Sequence, residues 1–161
     1  MAMAPTVPPP EPRISLGESV VETHDRRVEM LGACRLFGGV GRELLERVAA
    51  RATDVDFPAG HVIARQNEIG TGFFVVVEGR VRVIRDGRRL AELGPGEFFG
   101  ELSVLDGQPR NAQVAAITPV RCLAVASWDL DALIREDAEL GLAIIRGLAA
   151  RLRAATEAAT H

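Results

Sequence analysis

The sequence predicts a mainly β fold, a sandwich or barrel of seven or eight short strands with helices before and after it. Three observations lead there. Turn chemistry recurs through the middle of the chain, at Phe57-Pro58-Ala59-Gly60, Asp86-Gly87, Gly94-Pro95-Gly96 and Thr118-Pro119. Short runs rich in β-branched and aromatic residues lie between those turns. Both flanks instead carry apolar residues at helical spacing.

Residues 1–24 are proline-rich, with Pro8, Pro9 and Pro10 consecutive and no clear period, as in an extended or flexible tail; the domain proper is taken as 25–161. A short helix is predicted from Asp25 to about Leu31. A second is predicted over Arg42–Ala52, where Leu44, Leu45 and Val48 share a face. His61–Arg65 and Thr71–Glu78 read as strands. Val81 and Val83 alternate with Arg80 and Arg82, as in a strand with one wet face. Asp86-Gly87 is a strong hairpin signal leading into Arg89–Leu93. Ala112–Ile117 and Val120–Ala126 complete the strands. Ser127 is then expected to cap a short helix through Leu130, Leu133 and Ile134, and Asp137 a longer one reaching about Thr156. That last helix has two apolar stripes, Leu140, Ile144 and Leu148 on one face, and Leu142, Ile145, Ala149 and Leu152 on another. One stripe packs on the domain. The other asks for a further partner, for which a second copy of the chain is the simplest candidate, or for wrapping by its own domain.

At 161 residues, with 47% hydrophobic and 25% charged residues, the chain has the size and composition of one globular domain. A net charge of -3 argues against a dedicated nucleic-acid surface, and all 19 basic residues are Arg spread along the chain, as biased genome composition produces. No apolar run approaches the roughly 18 residues of a membrane span, and the amino terminus lacks signal-peptide character, so a soluble, cytoplasmic protein is expected. Cys34 and Cys122 sit among apolar neighbours and read as buried free thiols. His24, His61 and His161 are scattered, which gives no metal site; Ser103 lacks a nucleophile setting, and Gly38-Gly39-Val40-Gly41 lacks a preceding strand. Neither an enzyme nor a cofactor is expected.

Chemistry concentrates between Gly96 and Val114. Gly100 permits close backbone approach, and Glu101–Leu105 can form one helical turn whose first amides, at Leu102 and Ser103, suit an anion. Arg110 follows the Asp106-Gly107 turn. If Ala112 and Val114 face the core, strand alternation points Arg110 inward with them. An inward guanidinium needs a carboxylate or a bound anion, and a phosphate matches its planar fork. Glu101 repels a phosphate, so it fits a ligand only by accepting hydrogen bonds from another part, such as a ribose hydroxyl. An internal Glu101–Arg110 ion pair, or two solvated side chains, satisfies the same spacing.

Phe99-Gly100-Glu101-Leu102-Ser103 followed by Pro109-Arg110-Asn111-Ala112-Gln113-Val114 resembles the phosphate-binding cassette of the cyclic nucleotide-binding domain family, which includes kinase regulatory subunits and the bacterial catabolite activator. The resemblance extends to Leu36-Phe37, Phe57-Pro58-Ala59-Gly60 and Glu78-Gly79, roughly residues 28–155. It implies a jelly-roll-like β-roll of about eight strands with N-terminal helices and a C-terminal helical lid. It assigns Glu101 to the ribose 2′-hydroxyl, Arg110 to the exocyclic phosphate oxygens, and the backbone amides of Gly100, Leu102, Ser103 and Asn111 to the cradle. Leu148 or Ile144 is expected to cap the purine, with Val83 and Leu93 as further base-side contacts. Asn111 stands where many relatives carry Ala, Ser or Thr, which leaves cyclic AMP against cyclic GMP open, with cyclic AMP favoured. No helix-turn-helix follows the long helix before His161, so the expectation is a stand-alone sensor acting on an unidentified effector protein or through a homodimer. The alternative is a domain of the same fold that no longer binds nucleotide and contacts protein only.

Overall fold

A computed structural model describes residues 20–159. Eight strands form two four-stranded antiparallel sheets. They are β1 (Thr53–Phe57), β2 (Val62–Ala64), β3 (Gly72–Glu78), β4 (Val81–Arg85), β5 (Arg88–Leu93), β6 (Phe98–Phe99), β7 (Gln113–Ala116) and β8 (Val120–Ala126). One sheet has the order β1-β8-β3-β6 and the other β2-β7-β4-β5. The sheets face each other and do not close into a barrel, which agrees with the jelly-roll-like β-roll that the resemblance implies.

The Phe73 to Val77 run does not alternate in polarity because its strand has no wet face. In β3, Phe73 and Val75 point into a helical layer, while Val76 and Phe74 point into the roll. The neighbouring β8 repeats the division, with Leu123 and Val125 on the helical side and Cys122 in the roll. The second sheet has one wet face, on which Arg82 is exposed, and its edge strand β5 is exposed throughout Arg88–Ala91. At the β4–β5 hairpin, Asp86 and Gly87 have φ of 51° and 77°, the paired left-handed geometry of a two-residue turn. Gln66 holds Asp86 there, donating to Oδ1 at 2.8 Å and accepting the Asp86 N–H at 3.1 Å.

Helices α1 (Val20–Ala33) and α2 (Arg42–Arg51), a 3-10 turn (Arg35–Phe37), α4 (Ser127–Glu136) and α5 (Ala138–Ala159) cover the first sheet; α3 (Glu101–Asp106) lies between β6 and β7. Helix α1 begins at Val20, upstream of the predicted Asp25, so part of the stretch expected as tail is helical; the rest, residues 1–19, lies outside the described residues. Ser127 is not the cap of α4. The helix begins at Ser127 itself, so Ala126 holds the cap position, without a side-chain bond, and β8 runs straight into the helix with the Ser127 N–H donating to the Thr71 carbonyl at 2.8 Å. Asp137 does cap α5, its Oδ1 accepting the Glu139 N–H at 3.0 Å.

Both cysteines are free and buried, and burial pushes the Cys34 thiol up to about 11 and the Cys122 thiol up to about 12. Neither should react with a thiol reagent at pH 8 until the chain unfolds. Leu140, fully buried where α5 meets the helical core, should cost about 2–5 kcal/mol on replacement by Ala, read from the urea midpoint at unchanged slope.

Candidate functional site

The predicted cassette is assembled around Gly100. Its φ of 86° turns the chain from β6 into α3, and a Cβ there would lie 2.6 Å from Arg110 Nη1 and 3.0 Å from the Gly72 carbonyl oxygen. The turn places Glu101 and Ser103 on the buried side of α3, each 5% exposed, and leaves Leu102 and Asn111 exposed. Ser103 is spent on structure: its Oγ accepts the Gly70 N–H at 2.9 Å and donates to the Gln108 carbonyl at 2.6 Å.

Arg110 is turned inward, but not by strand alternation, since β7 begins only at Gln113. Its backbone is clasped instead by the segment before β3. The Asn67 N–H donates to the Arg110 carbonyl and the Arg110 N–H to the Glu68 carbonyl, both at 2.8 Å, beside a bridge between Ile69 and Pro109. The guanidinium gives its Nη2 proton to the Gly72 carbonyl at 2.9 Å. Among the described residues no carboxylate lies within ion-pair distance of it. Burial lowers its pKa, against the opposing fields of Glu101 and Glu68.

Glu101 and Arg110 therefore do not form the internal ion pair that spacing allowed. Glu101 pairs with Arg151 of α5, Oε1 to Nη1 at 2.8 Å, and the Arg151 guanidinium also sits 4.6 Å from the centre of the Phe98 ring. Burial raises the Glu101 pKa, while Arg151, its own backbone N–H and Arg110 pull it down less strongly.

Sequence reasoning missed Arg151. Ile144 is committed to the helical core and Leu148 packs against it, because that stripe of α5 faces the other helices rather than the cassette. Continued at helical spacing from Ile144 and Leu148, the stripe arrives at Arg151, and a charge in an otherwise packed row was the available signal for an acidic partner. Val83 packs against the interior of the roll. Leu93 borders a cavity of about 230 Å³ between the roll and α5, which Phe98, Ala150 and Arg151 also line. A larger cavity, about 550 Å³, is lined by Gly70, Gly72, Arg110 and Trp128, so it borders the guanidinium, while the smaller one borders Arg151, the partner of Glu101; neither is lined by Glu101 itself. Among the described residues no group of three or more His, Cys, Asp and Glu is placed to hold a metal, and no helix is long and apolar enough to cross a membrane.

Residues 54–137 match the cyclic nucleotide-binding domain family. The chain is 33% identical over 130 residues to the CRP-like cAMP-activated global transcriptional regulator of Mycobacterium tuberculosis, covering 78% of this chain and 58% of that protein. It is 37% identical over 115 residues to a cyclic nucleotide-gated potassium channel of Mesorhizobium japonicum, covering 71% and 32%. The crystal structure of the Thermus thermophilus catabolite activator protein superposes with a TM-score of 0.71 at 34% identity, over 78% of this chain and 62% of that one. The chain thus spans less than two thirds of the length of these relatives.

The raised pKa of Glu101 has a defined sign. A carboxyl that holds its proton more tightly when folded than the usual value of about 4.3 adds stability that is fully present below that value and lost as pH rises through the folded pKa. Relative to Glu101→Gln, the wild-type chain should therefore lose stability between pH 4 and pH 7.5 in urea unfolding. A difference that does not change with pH would mean that Arg151 cancels the burial effect.

Proposed function

The chain belongs to the cyclic nucleotide-binding domain family, and from that premise we propose that it senses a cyclic nucleotide, cyclic AMP in preference to cyclic GMP. The family's domains are regulatory sensors, not enzymes. The observation that carries the reading is Arg110: a half-buried guanidinium that, among the described residues, has no carboxylate in ion-pair reach and one carbonyl contact. Such a group calls for an anion, and a phosphate matches its fork. Glu101 is the acceptor for the ribose 2′-hydroxyl, since its charge is already balanced by Arg151 and its repulsion of a phosphate is muted. The amides of Gly100, Leu102, Ser103 and Asn111 complete the cradle. The base lies toward Leu93 and Arg151, where the cavity under α5 begins.

Output follows from the Glu101–Arg151 pair, the direct tie between cassette and α5. A ribose hydroxyl entering at Glu101 changes that tie and so shifts the helix. The exposed stripe of α5, with Leu142 39%, Ile145 63% and Leu152 69% exposed, is the surface on which a second copy would pack. These residues and Ala149 keep heptad spacing, with Arg146 and Arg153 on one flank and Leu148 and Ala155 on the other. A parallel pairing sets arginines against apolar residues, whereas an antiparallel one sets arginine against arginine.

Calorimetric titration with cyclic AMP, cyclic GMP and 5′-AMP tests the ligand. Cyclic AMP should bind tightest, and Arg110→Ala should weaken it on the order of 100-fold, the loss of charge-assisted bonds worth about 3 kcal/mol. Absence of heat with every cyclic nucleotide would instead favour a domain that binds protein alone. For the helix, sedimentation should show a dimer that Ile145→Glu with Leu152→Glu reduces to monomer. The emission of Trp128, 66% exposed at the start of α4, should respond to ligand if the helices move.

A further inference from the structure

Gly70 stands just before β3, buried, and is not part of the cassette in sequence. Its φ lies outside the left-handed region, so its backbone conformation is open to any residue. Its N–H bond to Ser103 Oγ uses the main chain, which a side chain at position 70 would leave in place. What only glycine supplies here is the missing Cβ. A Cβ at position 70 would fall on the Arg110 guanidinium, 2.5 Å from Nε and closer still to Cζ and Nη2. Every atom it meets first belongs to that one side chain. Gly100 bounds the same group on Nη1 and the Gly72 carbonyl anchors Nη2, so the guanidinium lies in a slot with Gly70 as its floor.

We propose that Gly70 is a positioning residue for Arg110: the absent side chain is the slot in which the guanidinium is held, and filling it moves the charge out of the place where it meets the ligand phosphate. The inference rests on reading Arg110 as the phosphate ligand. It makes the segment Asn67–Gly72 a second part of the binding site, although no atom of Gly70 needs to touch the nucleotide. That segment already clasps the cassette at the Arg110 backbone and at Ser103. The slot adds control of the side chain itself. A methyl group suffices to fill it, because close-packed atoms leave no room to overlap by an ångström.

The test compares wild type, Gly70→Ala, Arg110→Ala and the double variant in titrations with cyclic AMP and with adenosine, which lacks the phosphate. Gly70→Ala should weaken cyclic AMP at least 10-fold and leave adenosine within 2-fold. In the Arg110→Ala background it should have no further effect. Gly41→Ala, where an added Cβ meets nothing within 4 Å, serves as the control for a methyl group elsewhere. Wild-type affinity in Gly70→Ala would overturn the proposal, as would equal losses for cyclic AMP and adenosine, or a loss that persists in the double variant and so runs through Ser103. Two ligand-free readouts separate this proposal from the ligand assignment. The Arg110 Nε–H resonance should be slow to exchange in the wild type and fast in Gly70→Ala. If Gly70→Ala folds poorly, Arg110→Ala in the same chain should restore its melting temperature to that of Arg110→Ala alone. Should cyclic AMP give no heat with the wild type, the ligand reading fails, and these two readouts still decide whether Gly70 positions Arg110.

Discussion

The sheet β1-β8-β3-β6 must bury both of its faces, and the rest of the architecture answers that demand. Phe73, Val75, Leu123 and Val125 on one side require a helical layer, and Val76 and Cys122 on the other require the second sheet. Two hydrophobic cores result, one on each side of a shared wall. At about 25 cal/mol per Å² of apolar surface withdrawn from water, a sheet covered twice is the main store of stability in a chain with few aromatic residues. Because the wall is shared, the helices and the interior of the roll are mechanically joined, and the cassette follows β6 at the edge of that wall.

Electrostatics at that edge is arranged so that two opposite charges stay separate. Glu101 and Arg110 influence each other's protonation, yet each has its own partner, Arg151 for the acid and the Gly72 carbonyl for the base. Pairing them directly would satisfy both and leave nothing for a ligand to do. A carboxylate already balanced by a cation can accept from a hydroxyl at low cost, and a guanidinium tied only to a carbonyl keeps most of its donors available. The balancing cation comes from α5, so the state of the cassette and the position of that helix are parts of one arrangement. The clasp by Asn67–Gly72 works on the other end of the cassette, fixing a side chain that lies outside any regular strand.

Much of the fold was legible because it rests on local chemistry. The Asp86-Gly87 hairpin, the Asp137 cap and the alternation of Val81 with Arg82 are signals that neighbours in sequence create by themselves. Ser127 misled because the helix begins at it rather than after it, β8 running into α4 without a break that the residue type would mark. Arg110 was rightly expected to turn inward and wrongly explained, since a clasp from a distant segment replaces the alternation of a strand. A helical stripe reveals that Ile144 and Leu148 share a face but not that this face meets the helical core.

By itself the sequence determined the class of the fold and the two faces of the last helix, since turn residues and periodicity are properties of short stretches, and its resemblance to a known family picked out the cassette segment. The tertiary structure alone decided that Glu101 pairs with Arg151, that Arg110 lies across Gly70, and that one stripe of α5 is consumed by packing. Residues 101 and 151, or 70 and 110, are brought together only by the closing of the roll and the path of the helix over it. Distances across a fold are set by packing, and no spacing in the chain encodes them.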